Sequence, residues 1–141
     1  MGGNVYAFRA PAGSDHFEPF GVDTSAQGAW KQEWHKAFAL LDPHHLVIAT
    51  LRRGISVVDL RQGTTADRSF KDAPELRGME DVVATPDGSI YGITRNDGIV
   101  RMRYSDGTLN DIAVFEDRSE RGNYQSAVAD EDGTLWISST A

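Results

Sequence analysis

The feature that most constrains the fold is an internal repeat of short β-type segments. Segments 46–50, 90–94 and 135–139 match one another at offsets of 44 and 45 residues, and segments 54–60 and 98–104 match at an offset of 44. These segments are rich in β-branched and aromatic residues, as half-buried strands require. Repeats of short strands with a period of roughly 40 to 50 residues are typical of β-propeller blades.

Turn residues separate the repeated segments. Pro86, Asp87 and Gly88 occupy their preferred slots in one tight turn, and an Asn-Asp-Gly sequence ends the connection 95–98. A phenylalanine marks the last strand of each repeat, which we expect at 17–22, 68–71 and 111–116. Each repeat therefore predicts four strands, named a to d in chain order.

The predicted fold class is an all-β propeller with three four-stranded blades' worth of strands per chain. Residues 4–22 supply strands c and d of a split blade, and residues 117–141 supply its strands a and b. Residues 23–71 and 72–116 each form a whole blade. An ordinary β-sandwich is the alternative, but it does not explain why the two ends of the chain continue the repeat when joined head to tail.

Three blades cannot close a ring, because propellers have about four to eight. We therefore expect a homodimer that forms a six-bladed ring, in which strands c and d of one chain complete the blade of the other. The alternative is one half of a larger propeller.

The composition and charge of the chain argue against several classes of binding partner. The net charge of −7 argues against nucleic acid and anionic membranes, which both need a basic surface. The chain has no cysteine, and its apolar runs are too short to span a membrane. Without a signal peptide in this sequence, a cytoplasmic location is the expectation.

A ring of polar residues is predicted at one mouth of the central channel. Lys36, Glu80 and Gln125 each lie ten residues before a matched strand b segment. The connections from strand b to strand c add Arg53 and Arg95 beside Arg52, Asn96 and Asp97, and the long connection 22–36 holds Trp30, Trp34 and His35. A polar channel mouth is the default position for a ligand.

Segments 45–70, 77–94 and 109–139 resemble the gluconolactonase/senescence-marker-protein family of six-bladed propellers. Propellers with NHL repeats, two-component-regulator repeats or a strictosidine-synthase-like fold share parts of these motifs. The resemblance implies lactone hydrolysis with a divalent cation, commonly calcium or zinc, bound by a Glu, two Asn and an Asp. The Asn-Asp motif corresponds here to Glu80 and Asp81, and the following Asn to Gln125, so neither Asn is kept. Lys36 stands at the equivalent position of the preceding repeat.

Two functions follow from these residues. Glu80 and Gln125 carry oxygen atoms that calcium or magnesium could use, but Lys36 opposes a cation and favours pairing with Glu80. The first hypothesis is a binding or scaffold module with no catalytic residue and no cofactor. The alternative is a metal-dependent lactone or ester hydrolase. His44 and His45 fall in a turn and are expected to point to solvent, and Asp130 begins a solvated turn.

Overall fold

The computed structural model describes residues 7–20, 35–50, 53–95, 98–116 and 123–140. In these ranges the regular elements are one short 3₁₀ helix, Pro74–Leu76, and twelve strands. The strands are β1 (Ala7–Arg9), β2 (Glu18–Phe20), β3 (His35–Asp42), β4 (His45–Thr50), β5 (Gly54–Asp59), β6 (Thr65–Ser69), β7 (Met79–Ala84), β8 (Ser89–Thr94), β9 (Gly98–Ser105), β10 (Thr108–Glu116), β11 (Asn123–Ala129) and β12 (Leu135–Thr140).

The strands form four antiparallel sheets. Strands β3 to β6 make one four-stranded sheet in sequence order, and β7 to β10 make a second. Strands β1 and β2 form a two-stranded sheet, as do β11 and β12. The predicted all-β class is confirmed, and the repeated four-stranded sheets are consistent with a propeller-like fold. No described helix has the length and apolar composition that a bilayer crossing needs.

The central strands of both complete sheets are buried on both faces, which explains their near-continuous apolar sequences. All six residues of β5 and all six of β8 are buried. Tight turns between strands preserve the register. In the turn before β8, the carboxylate of Asp87 accepts a hydrogen bond from the Ser89 amide at 3.0 Å, and Gly88 adopts a φ of +84° that favours glycine.

The two complete sheets pack face to face around the main core. Its members come from both sheets, from the 3₁₀ helix and from the residue that precedes this helix: Val47, Ala49, Ile55, Val57, Ala73, Leu76, Met79, Val82, Ile90, Val100, Met102 and Leu109. The backbone of Gly92 approaches this layer closely, since an added Cβ would lie 2.6 Å from Met79 Sδ. Full burial of each large apolar side chain contributes about 1.5–3 kcal/mol.

A second interface joins the β7–β10 sheet to β11–β12. Tyr91, Ile93 and Ile99 pack there with Tyr124, and partly buried side chains from both strands of the small sheet complete the cluster, namely Ala127, Leu135 and Ile137. Three sheets are thus stacked in chain order, as successive blades would be.

Two apolar faces remain exposed at the ends of this stack. Phe38 and Leu40 form the β3 face, and Leu40 is 61% exposed. Val128 and Trp136 form the β12 face, and they are 61% and 62% exposed.

The internal repeat relates these exposed residues to buried ones. Phe38 corresponds to Val82, which is buried between the two complete sheets, and Trp136 corresponds to Tyr91, which is buried at the second interface. By the repeat, the β3 face and the β12 face therefore correspond to the two sides of the interface that the described sheets form twice.

One strand lies elsewhere than predicted. The fourth strand of the first complete sheet was expected at 68–71, but β6 spans Thr65–Ser69. The carbonyl of Ser69 accepts hydrogen bonds from the amides of Asp72 and Ala73, and this turn ends the strand. Phe70 therefore follows β6, although its ring still packs against the main core.

Candidate functional site

Lys36, Glu80 and Arg95 form an ion-pair cluster where β3 and β7 begin and β8 ends. Lys36 Nζ lies 3.1 Å from Glu80 Oε2, and the Arg95 guanidinium donates a hydrogen bond to Glu80 Oε1. The Glu80 side chain is 21% exposed. The amide of Arg95 also donates to the Gly78 carbonyl at 2.8 Å, which fixes the connection that carries the guanidinium. The structure thus brings together three residues predicted at the channel mouth.

The charges of this cluster compensate one another. Burial raises the pKa of Glu80, but hydrogen bonds and the positive charges of Lys36 and Arg95 outweigh it and hold the pKa below its usual value. The carboxylate is therefore ionised at neutral pH. Because the two cations come from different sheets, the cluster also links neighbouring blades.

The other predicted mouth residues are more scattered. Gln125 lies on β11 with an exposed side chain. Arg53 precedes β5 and lines a separate cavity of about 420 Å³, together with Arg68 and Lys71. His35 is the first residue of β3. Trp30, Trp34, Arg52, Asn96 and Asp97 lie outside the described residues.

The described residues do not fit the divalent cation that the family resemblance implies. Both carboxylate oxygens of Glu80 face cationic side chains. A calcium ion needs about six to eight oxygen ligands and favours a surplus of negative charge. Within the part of the chain that the structure describes, no group of three or more His, Cys, Asp or Glu side chains is arranged to hold a metal ion.

Asp81, which follows Glu80, has a positioning role that the sequence did not reveal. Its Oδ2 accepts a hydrogen bond from the Ala127 amide at 2.9 Å, and its Oδ1 accepts one from the Val82 amide at 2.8 Å. Hydrogen bonds to a charged group contribute about 1.5–3 kcal/mol. Asp81 therefore attaches β11 to β7.

A second polar cluster surrounds His45 at the opposite ends of the strands. Its Nδ1 lies 2.8 Å from Asp42 Oδ2, and its Nε2 lies 3.7 Å from Asp59 Oδ2. The ring packs 5.1 Å from that of Tyr104 in the neighbouring sheet. The expectation that His45 points to solvent is wrong, because Asp42 and Tyr104 hold a mostly buried ring. His44 is exposed.

The acidic members of this cluster have shifted pKa values. Hydrogen bonds from the Arg61 and Gln62 amides hold the pKa of Asp59 below its usual value, against the effect of burial. Burial raises the pKa of the Tyr104 hydroxyl, and the charges of Asp59 and Asp42 raise it further. The cluster joins the two complete sheets across their polar edge. The spacing of Asp42 and His45, across a two-residue turn, was the available sequence signal.

Asp130 occupies a solvated turn, as predicted. Its carboxylate accepts hydrogen bonds from the amides of Asp132 and Thr134 and from the Trp136 indole. These bonds hold the pKa of Asp130 below its usual value, the Thr134 amide having the largest effect. The indole bond also fixes the Trp136 ring, which keeps the β12 face in a defined shape.

Comparison with solved structures supports the fold. The chain is similar to the extracellular domain of a protein described as a one-component system from B. thetaiotaomicron, with a TM-score of 0.59 and 18% identity. The match covers 74% of this chain and 15% of that chain, so this chain spans a small part of the other's length. At such low identity the likeness shows the fold alone. No family model matches the sequence, and no curated protein matches it at a significant level.

Proposed function

We propose that the chain is a self-assembling half of a propeller-type binding module. Two copies close a six-bladed ring, and a ligand binds at the mouth of the central channel. The observation that carries this proposal is the pair of exposed apolar faces, the β3 face and the β12 face. By the repeat, they correspond to surfaces that the chain buries against each other at its two internal blade interfaces.

Closure by a second copy satisfies both faces at once. A twofold axis places the β12 face of each chain on the β3 face of the other, so the ring contains the same blade contact six times. Exposed apolar patches of this kind are association sites. Leu40, Val128 and Trp136, each more than 60% exposed, supply the area to be buried.

The ligand site includes the Lys36, Glu80 and Arg95 cluster, with Arg53, Gln125, Trp34 and His35 as further candidates. Two cations and one carboxylate in the cluster favour a ligand that carries carboxylate or phosphate groups, which guanidinium and ammonium groups bind well. In the ring this cluster occurs twice around the channel. A twofold-related anionic ligand would contact both copies.

Titration with citrate tests the ligand site. We expect saturable binding of citrate to the wild-type protein by calorimetry, weakened about tenfold or more in Lys36→Met, because a charge-assisted contact is lost. Arg61→Met is the control, since Arg61 is exposed beside Asp59 at the opposite end of the strands, and this variant should bind citrate like the wild type. Equal citrate affinity in the wild type and Lys36→Met would remove the cluster from the site.

The lactone hydrolase remains less well supported than the binding module. The compensation of Glu80 by Lys36 and Arg95 argues against a cation at the position that the family resemblance suggests. Elemental analysis after incubation with calcium and zinc and exhaustive dialysis distinguishes the two functions. We expect no stoichiometric metal, and one metal per chain that is lost in Glu80→Ala would favour the hydrolase.

The compartment stays a prediction. A cytoplasmic location was expected from the sequence, whereas the solved protein with a similar fold is described as an extracellular domain. The negative net charge of −7 still argues against nucleic acid and anionic membranes as partners.

A further inference from the structure

We infer that the outer part of each split blade is formed by strand exchange: the β1–β2 hairpin of one copy pairs with β12 of a second copy, along the edge that faces away from β11. This inference rests on the proposed function and identifies the segment and the cleft that make the contact. It is stronger than ring closure alone, since two copies could also associate only through the β3 and β12 faces.

The first argument is the pairing of strands. In the complete sheets, β4 and β8 each have a partner on both sides, and so do β5 and β9. Within the described residues, β12 pairs only with β11, and β1 pairs only with β2. One small sheet thus lacks the outer two strands of a blade, and the other lacks the inner two. Unpaired strand edges of this kind are templates for pairing with another chain.

The second argument is an apolar cleft beside the β12 edge. It has a volume of about 500 Å³ and continues the interface between the second complete sheet and β11–β12. Its walls include Tyr91, Ile99, Phe115, Tyr124, Leu135 and Ile137. Between the two complete sheets, the corresponding space is filled by β9 and β10, whose Met102 and Leu109 belong to the main core.

The third argument is the chemistry of the hairpin. Phe8 and Arg9 of β1 are exposed, and Phe8 presents its ring to solvent although it lies in a strand. When two copies are joined head to tail, the repeat relates Phe8 to Tyr104, whose ring packs against His45 of the preceding sheet. The counterpart of His45 in the second complete sheet is Ser89, so the repeat would place Phe8 of a second copy beside Ser89.

The register of the exchange follows from the complete sheets. His45 pairs with Asp59, and Ser89 pairs with Arg103. Adding the repeat offset of 45 residues to Ser89 gives Thr134. Adding it to Arg103 gives position 148, which is Ala7 of a second copy joined head to tail. The two Cβ atoms of such a directly opposed pair are about 4.5–5.5 Å apart, within reach of a disulfide after small adjustments.

The test is cysteine cross-linking in a chain that has no cysteine of its own. We expect Ala7→Cys combined with Thr134→Cys to give a covalent dimer in most of the oxidised protein, which migrates at twice the monomer mass without reductant. Ala7→Cys combined with Thr140→Cys is the control, because Thr140 ends β12 roughly 20 Å from Thr134, which precedes that strand. It should remain largely monomeric without reductant.

The outcomes separate this inference from the proposed function. A cross-link within one chain, or no cross-link from the Thr134 pair in a protein that light scattering shows to be dimeric, would overturn strand exchange and leave ring closure intact. A ladder of covalent trimers and longer species would support the exchange but contradict a closed dimer. No cross-link together with a well-folded monomer would overturn both.

Discussion

The closed interface between the two complete sheets and the open β3 and β12 faces are built from equivalent positions of one repeat. At the closed interface, Val82 and Met102 are almost fully buried and Gly92 admits Met79 at close range. At the open faces, Phe38 and Trp136 occupy the corresponding places and are 49% and 62% exposed. The comparison supports the proposal that a second copy covers the exposed apolar residues, since scattered surface leucines would not follow the repeat.

The largest expected effect comes from a substitution in the core between the two complete sheets. Met79→Ala should lower the free energy of unfolding by about 2–5 kcal/mol, because Met79 is fully buried beside Gly92 and its truncation leaves a cavity. Urea denaturation at fixed protein concentration measures the loss. A cost below about 1 kcal/mol would mean that the two complete sheets are not packed as described.

The next prediction concerns a substitution on the β3 face that leaves the interface between the two complete sheets unchanged. Leu40→Glu should weaken association at least about 100-fold, because an unpaired carboxylate would be buried against the β12 face of the partner. Sedimentation velocity over a range of concentrations measures the dissociation constant. Val114→Glu is the control, since Val114 is half exposed on the outermost strand β10, outside both open faces. Equal association by both variants would show that the β3 face is not an interface.

A third prediction concerns the hydrogen bond that joins β11 to β7 at the second interface. Asp81→Ala removes the carboxylate that accepts the Ala127 amide and should cost about 1–3 kcal/mol of stability. Hydrogen exchange of the Ala127 amide should accelerate in this variant and stay unchanged in Asp132→Ala, an exposed turn variant. Unaltered protection of Ala127 in the Asp81 variant would contradict the positioning role.

The smallest expected effect concerns the turn before β8. Hydrogen bonds from the Thr85 hydroxyl and the Ser89 amide lower the pKa of Asp87 to about 2. A lowered folded-state pKa stabilises the fold above the unfolded value near about 4, and the contribution is lost as the pH falls towards 2. Asp87→Asn should therefore melt below the wild type at pH 7 and nearly with it at pH 2. A gap that widens on acidification would contradict this sign.

The repeat allowed much of the fold to be predicted, because strand identity, turn positions and the order of the sheets depend on local pattern. The end of β6 could not be predicted, since the turn at Ser69 depends on which amides reach its carbonyl. The position of His45 escaped prediction because its contact with Tyr104 comes from a neighbouring sheet.

The candidate site was predicted in part for the same reason. Counting along the repeat placed Lys36 and Glu80 at one end of the strands, where the structure finds them in contact. The involvement of Arg95 in the same ion-pair cluster, and the separate cavity at Arg53, depend on the path of the connections between strands. Periodicity does not specify these paths.

The mass of the wild-type protein in solution tests the central claim most directly. Light scattering on a sizing column, over a dilution series, should give twice the 15.5 kDa chain mass and hold it to low concentration. That result means that a second copy covers the β3 and β12 faces. A stable, well-folded species of 15.5 kDa would contradict the account, because both apolar faces would then be exposed in the folded protein.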